Sequence, residues 1–415
     1  MADIRPALRQ GDQGASIGKV DLKILTFSSL YPNAHQPSHG VFVENRLRQL
    51  LAYAPHLQAT VVAPVPWFPS SNPMFGSYAS YAGVETHEVR HGIEVWHPKY
   101  PVIPKIGMQL TPWIMYQSVR RTVRRLKDSG FDFDLIDAHY FYPDGVAAMR
   151  LAAEFERPFV VTGRGTDLNL IPQLPGPRRR ILQVTEEAAH MMTVAAALKD
   201  YLIGMGVPDD RVTVLRNGVD LDFFHPHDDR AGLRGKLGIG ARPTLLSVGH
   251  LIERKGHHLA VEAMATLPGM ELLIAGDGPE ESALRQLVDR LALGDRVRFT
   301  GRLSQEQLRE HYQATDALVL ASSREGWANV LLEAMACGTP VVATPVDGTP
   351  EVVASADGGQ LTHDRSAASI TAAIEKLFAD MPSRDATRRY AEGFSWNDTS
   401  QGQLAIFERV VGVAS

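Results

Sequence analysis

Short apolar runs alternate along the chain with polar loops rich in Gly, Pro, Ser and Asn. Residues 23–28 (KILTFS) form one such run. It closes on small polar residues and reads as a buried first strand. The segment SSLYPNAHQPSHG behind it is a loop by composition. Residues 41–52 then carry apolar side chains at helical spacing, with Glu44 early and Arg46 and Arg48 later. Residues 59–63 (ATVVA) give a second strand. Strand, Gly-containing loop, helix and strand make a βαβ unit of the nucleotide-binding type. Further strands are predicted over 135–139 (LIDAH), from Phe159 into the polar loop ending at Asp167, and over 191–194 and 212–215.

The same logic restarts after residue 216. Strands are predicted at 244–248 (TLLSV), 271–275 and 297–301 (VRFTG), with a loop over 249–256 (GHLIERKG) and a helix from His257. A helix over 305–314 and a strand over 317–321 follow. The pattern therefore predicts an α/β chain of two Rossmann-like halves. The link between them is the Asn-Gly turn within RNGVDLDFFHP. A last helical pattern, with Leu404, Ile406, Phe407 and Val410 on one side, closes the chain.

Composition narrows the function classes. A chain of 415 residues accommodates two domains of ordinary size. The formal net charge of −5 argues against a nucleic-acid binder. Residues 1–215 hold 22 basic and 20 acidic side chains, so the negative excess lies in the second half. Cys337 is the single cysteine, which excludes an intrachain disulfide and a cysteine-based metal site. No apolar run reaches membrane-spanning length, and residues 1–20 are a polar, loose tail without the apolar core of a signal peptide. These features fit a reducing cytoplasm.

The chemistry concentrates in residues 321–353, ASSREGWANVLLEAMACGTPVVATPVDGTPEVV. Glu325 and Glu333 stand eight residues apart, and on one unbroken helix they would diverge by about 80°. They read instead as serving different points: Glu325 in a loop after a strand, Glu333 about one turn into a helix. Asn329, a good N-cap residue, or Ala328 starts that helix, and Gly338 with Pro340 ends it. A helix N-terminus at the carboxyl end of a strand favours an anion. The two carboxylates would repel that anion, so they should face hydroxyls.

In this context, EGWANVLLEAMACGTPVV, the Glu-x7-Glu pair resembles the signature of retaining glycosyltransferases of family 4, of the bacterial polysaccharide-building type. Their GT-B fold consists of two facing Rossmann-like domains with a C-terminal helix returning to the first. The resemblance implies an acceptor domain over 21–215, a nucleotide-sugar domain over 216–395 and a returning helix over 396–415. It implies that Glu325 touches the donor sugar and that Glu333 binds ribose. Gly326, Trp327, Ala328, Asn329 and Val330 then complete the donor loop and helix start. Lys255 is expected on the diphosphate with Arg254 beside it. His250 stands where relatives carry Arg. Arg302 and Leu303 lie where relatives hold the base. Gly40, preceded by His39 rather than a second Gly, lets a loop approach the diphosphate. His139, in DAHYFYPDG, is expected at the lip of the cleft against the donor sugar. Arg164 and Asp167, in VTGRGTD, fall on the acceptor side, with Arg164 in place of a usual His.

The donor is thus expected to be a nucleotide diphosphate sugar and the acceptor a saccharide or lipid-linked molecule. No cofactor and no metal are expected, since Asp220 and Asp222 flank Leu221 in the linker rather than at a strand end. The leaving diphosphate, with Lys255 against it, is expected to take the acceptor's proton on the same face. His139, Glu325 and Lys255 carry the catalytic roles. Two alternatives keep the fold: a GT-B epimerase, or a non-catalytic nucleotide-sugar-binding or scaffold protein. A phosphorylase would need a Schiff-base lysine. The absence of Gly-x-Gly-x-x-Gly in the first βα loop disfavours a dehydrogenase. Residues 116–127 (YQSVRRTVRRLK) form a basic helix that can lie on anionic lipid at the inner membrane face. A solvated helix face accounts for it equally well.

Overall fold

The structure is a computed structural model and describes residues 21–67, 70, 81–102 and 107–412. The loose tail expected over residues 1–20 lies outside the described residues. The first half is built on an eight-stranded sheet. In spatial order its strands are Val212–Val214, His190–Thr193, Phe159–Gly163, Leu135–His139, Lys23–Phe27, Gln58–Val62, Ile93–Trp96 and His87–Arg90. Only the last pair is antiparallel. The second half carries six parallel strands in the order Val297–Gly301, Glu271–Ala275, Thr244–Val248, Ala317–Leu320, Val341–Ala343 and Gly359–Leu361. The central strands are apolar on both faces because helices cover both, and 135–139, 159–163 and 244–248 are buried throughout.

Each sheet has a point where strand order reverses. In the first it lies between Lys23–Phe27 and Leu135–His139; in the second, between Thr244–Val248 and Ala317–Leu320. Adjacent strands there send their following loops to opposite faces, leaving a crevice at their carboxyl ends. The loops that open the two crevices are 28–40 and 139–145 on one side, 249–256 and 321–328 on the other. Every candidate site residue outside the helix Asn329–Ala336, the strand-end loops Arg164–Asp167 and Arg302–Leu303 falls in these loops.

The helix Asn329–Ala336 ends as its sequence predicts. Gly338 takes φ +78, and the amides of Gly338 and Thr339 bond the carbonyls of Met335 and Ala334 at 2.8 and 2.9 Å. It starts at Asn329, one of the two positions read from sequence, but without the expected Asn cap. Ala328 occupies the cap position and no side chain caps the helix. Asn329 is already helical, and its Oδ1 instead accepts from Asn217 Nδ2 at 3.3 Å.

The last helix, Trp396–Val411, returns to the first half. Ile406 and Phe407 pack there with Leu22, Ile24, Leu50 and Leu135. The two halves with this returning helix form the GT-B architecture. The basic helix is longer than its pattern suggested, running Thr111–Asp128. Its apolar stripe, Met115, Val119, Val123 and Leu126, is buried in the main core, so that stripe does not face lipid. Arg120 and Arg124 both pair with Glu154, and Lys127 pairs with Asp132.

Candidate functional site

A cleft of about 470 Å³ lies between the halves, walled by Phe42, Tyr140 and Arg164 on one side and by Lys255, Glu325 and Glu333 on the other. Arg254 and residues 326–330 line it too. A second cavity of about 730 Å³ shares Leu308 with it and is lined by His39, His250, Asp277, Arg302 and Leu303. The donor residues expected from sequence, Gly40 apart, thus fall into two adjoining spaces. One holds the carboxylates and cations; the other holds His250 and the loop after Val297–Gly301.

Glu325 is buried, and its Oε1 receives Lys255 Nζ and Ser322 Oγ, both at 2.6 Å. Arg254 Nη1 stands 3.7 Å from the same oxygen and donates to the Arg324 carbonyl at 2.7 Å. Burial alone would push this carboxyl up, but the Lys255 and Arg254 charges and the two hydrogen bonds outweigh it and hold it below its ordinary range. Lys255, expected on a diphosphate, therefore bonds Glu325.

Glu333 has the opposite electrostatics. Burial pushes its carboxyl up to about 7, against the hydrogen bond that Tyr312 Oη donates to Oε2 at 3.0 Å. Two glutamates eight residues apart therefore differ in charge near neutrality: one ionised by cations, one poised between states.

His139 is not at the cleft lip. It is buried behind Arg164, whose Nη2 donates to His139 Nδ1. Nε2 faces Asp137 Oδ2 at 3.2 Å, so the proton sits on Nε2 and the ring is neutral. Burial pushes its pKa down to about 4; the Asp137 charge opposes this and the Arg164 charge adds to it. Arg164, not His139, reaches the cleft wall. Its Nη1 and that of Arg46 share Asn217 Oδ1 at 3.2 and 3.3 Å. Arg46 in turn donates from Nε to Gln403 Oε1 at 2.7 Å, and Gln403 Nε2 donates to Asp137 Oδ2 at 3.1 Å. The returning helix is thereby tied to the residues beneath the cleft.

Asp167 is also displaced from its expected place. It is fully buried, and its carboxylate accepts from the amides of Phe141, Arg164 and Gly165 at 2.8, 3.0 and 2.8 Å. It shapes the loop that carries Arg164 and has no free face for an acceptor. Gly40 acts in a similar way. It takes φ +66, and a Cβ there would come within 2.2 Å of the Leu30 carbonyl carbon. This packing lets Ser38 and His39 line one cavity while Val41 and Phe42 line the other.

His250 spends one nitrogen on the Asp277 carbonyl, to which Nδ1 donates at 2.6 Å. Among the described residues no group of three or more His, Cys, Asp or Glu side chains could hold a metal ion. Three contributors were not singled out from sequence. Asn217 was read only as a turn residue, Tyr312 as a helix residue, and Asp347 lay in a stretch read for its strands and glutamates. Asp347 Oδ2 receives the amide of Glu325 at 2.9 Å.

Comparison with known proteins gives the same outline. Residues 229–394 match the model of glycosyl transferases group 1, and residues 43–223 that of glycosyltransferase family 4. Over 332 residues, 79% of this chain and 82% of the relative, the chain is 29% identical to a putative teichuronic acid biosynthesis glycosyltransferase of Bacillus subtilis. It is 34% identical over 239 residues to the D-inositol 3-phosphate glycosyltransferase of Mycobacteroides abscessus, covering 55% of this chain and 54% of that relative. That match spans about half of either chain. In fold, the chain is similar to sucrose-phosphate synthase from Thermosynechococcus elongatus, with a TM-score of 0.77 at 21% identity over 95% of this chain and 100% of that one. Anabaena HepE, solved in complex with UDP and glucose, superposes with a TM-score of 0.70 at 21% identity over 92% of this chain and 98% of that one.

Proposed function

Because the chain belongs to the group 1 and family 4 glycosyltransferases, we propose that it transfers a hexose from a nucleotide diphosphate sugar to a saccharide or lipid-linked acceptor, with retention of configuration and without a metal. The observation that supports this best is the convergence of Glu325, Glu333, Lys255 and Arg254 on one interdomain cleft at the start of the helix Asn329–Ala336. That set matches the parts of the donor. Glu333 accepts from the ribose hydroxyls. Lys255 and Arg254 neutralise the diphosphate in a partly dry space, where charge pairing is strong. Glu325, freed from Lys255 as the phosphate oxygens take over that cation, accepts from hydroxyls of the sugar. His250, Arg302 and Leu303 border the space left for the base.

The transfer breaks the bond between the anomeric carbon and the diphosphate oxygen, whose electron pair leaves with the diphosphate. The acceptor oxygen bonds to the anomeric carbon on the same face, and its proton passes to the departing diphosphate. Lys255 stabilises the charge that grows there. His139 supports the site at one remove, by fixing the guanidinium of Arg164 on the cleft wall. HepE was solved with UDP and glucose, which makes uridine nucleotides the first donors to try. The teichuronic acid relative favours a polysaccharide-building acceptor.

Membrane contact, on this reading, is peripheral. Among the described residues no helix is long and apolar enough to cross a bilayer. The lipid-facing surface is not the arginine stripe but the start of the same helix. Met108, Leu110, Trp113 and Leu174 are exposed there, with exposed Arg178 and Arg179 following Leu174.

Turnover and calorimetric binding across UDP, GDP and ADP sugars, each with excess EDTA, test the reading, with the anomeric configuration of the product read by NMR. Transfer with retention in EDTA is the expected result. Failure to bind any nucleotide sugar would overturn the donor assignment; tight binding without transfer to any acceptor would leave a binding protein.

A further inference from the structure

Asp347 sits in a turn after the strand Val341–Ala343 with φ +42, a left-handed conformation that glycine adopts more easily. A side chain at such a position needs a reason. Here its carboxylate gathers donors from both halves. Oδ2 accepts from the Glu325 amide at 2.9 Å and from Asn169 Nδ2, across the cleft, also at 2.9 Å. Oδ1 accepts from Tyr201 Oη at 3.3 Å, again from the first half. Asn169 is buried and lines the cleft.

The surroundings of Asp347 are built for close approach of the halves. A Cβ on Gly326 would stand 1.8 Å from the Arg164 carbonyl oxygen, and one on Gly165 would stand 2.9 Å from Gly326 Cα. A Cβ on Gly348 would likewise stand 2.8 Å from Ala195 Cβ of the first half. Glu351, one turn further, accepts from the Ala197 amide at 3.2 Å and pairs with Arg216 at 2.6 Å. Backbone meets backbone at the loop that carries Glu325, and one carboxylate links that loop to both halves.

We propose that Asp347 is a positioning residue that makes the placement of Glu325 conditional on closure of the two halves. When they part, Asp347 loses Asn169 and Tyr201. It then holds only the Glu325 amide and water, and the loop is free to rearrange. When they close, the same oxygen that bonds Asn169 fixes the Glu325 amide. The inference rests on the transferase reading, since it assigns Glu325 a task at the sugar. The latch itself is a statement about closure and can be read without turnover.

The test uses the full chain and Asp347→Gly, which suits the left-handed backbone and deletes only the carboxylate, so each half should stay folded. Small-angle scattering with saturating UDP should give a larger radius of gyration than wild type. With an active donor, kcat should fall at least tenfold while the affinity for UDP stays within twofold. Asn169→Ala should reproduce the loss, and the double variant should be no worse than either single one. Wild-type scattering together with wild-type kcat in Asp347→Gly would overturn the proposal, as would additive losses in the double variant. If wild type itself turns over no donor, the transferase reading fails, and the scattering comparison still decides the latch.

Discussion

At the scale of single residues, the cleft separates two carboxylates by their surroundings. Glu333, raised to about 7 by burial, takes its anionic form above that pH. The carboxylate accepts from two hydroxyls at once, whereas the neutral acid must give up one acceptor role. Nucleoside diphosphate affinity should therefore strengthen as pH rises through about 7, and Glu333→Gln should flatten that dependence in calorimetry. Glu333→Ala should weaken binding by about 1.5–3 kcal/mol, as expected for a hydrogen bond to a charged group. Lys255 contributes differently. Charge on the diphosphate grows as the bond breaks, so Lys255→Ala should lower kcat more than it raises KM. A rise in KM with kcat intact would remove Lys255 from the transition state. The glutamate pair and Lys255 were legible because spacing and neighbouring motif identify them. Asp347, Asn217 and Tyr312 were not: their roles come from partners about 20 to 180 residues away.

At the scale of elements, the loop between the strand Ala317–Leu320 and the helix Asn329–Ala336 is held by glycine as much as by charge. Any side chain at Gly326 collides with the Arg164 carbonyl across the cleft. Gly326→Ala should leave each half folded, keep UDP affinity within a few-fold and still reduce turnover at least tenfold, because the halves cannot approach. Wild-type turnover in this variant would show that the contact is not needed for catalysis. The returning helix Trp396–Val411 is a second coupling element. Phe407 is fully buried against the first half, so Phe407→Ala should cost about 3–5 kcal/mol in chemical denaturation. The strands and most helices were readable from periodicity because each satisfies its own backbone and buries a continuous apolar face. The cap of the helix Asn329–Ala336 was misread for the complementary reason. Asn329 has a capping side chain, but Asn217 engages its oxygen from the interdomain linker.

At the scale of the whole molecule, the site exists only where two sheets present their reversal points to one another. A reaction that depends on cation side chains rather than a metal should proceed unchanged in EDTA. Activity lost on chelation and restored by Mg²⁺ or Mn²⁺ would overturn that expectation. Peripheral docking should appear in liposome flotation as binding that requires anionic lipid and weakens with salt. Trp113→Ser with Leu174→Ser should reduce it strongly. Replacing Arg120 and Arg124, which are bound to Glu154, should change it little. The reverse ranking would return the docking face to the basic stripe.

The amino-acid sequence by itself determined the alternation of strands and helices, the break into two βαβ halves, and the glutamate and lysine positions that line the cleft. Those features are local: periodicity, turn residues and a motif within about thirty neighbouring positions carry them. Tertiary structure alone decided which side chains touch the cleft. It withdrew His139 behind Arg164 and spent Asp167 on three amides. It buried the stripe of the basic helix and brought Asp347 against Glu325. The physical reason is the same in each case. A buried polar group takes whichever partner the fold brings within hydrogen-bond reach, and that partner comes from packing between distant segments rather than from the residues beside it in the chain.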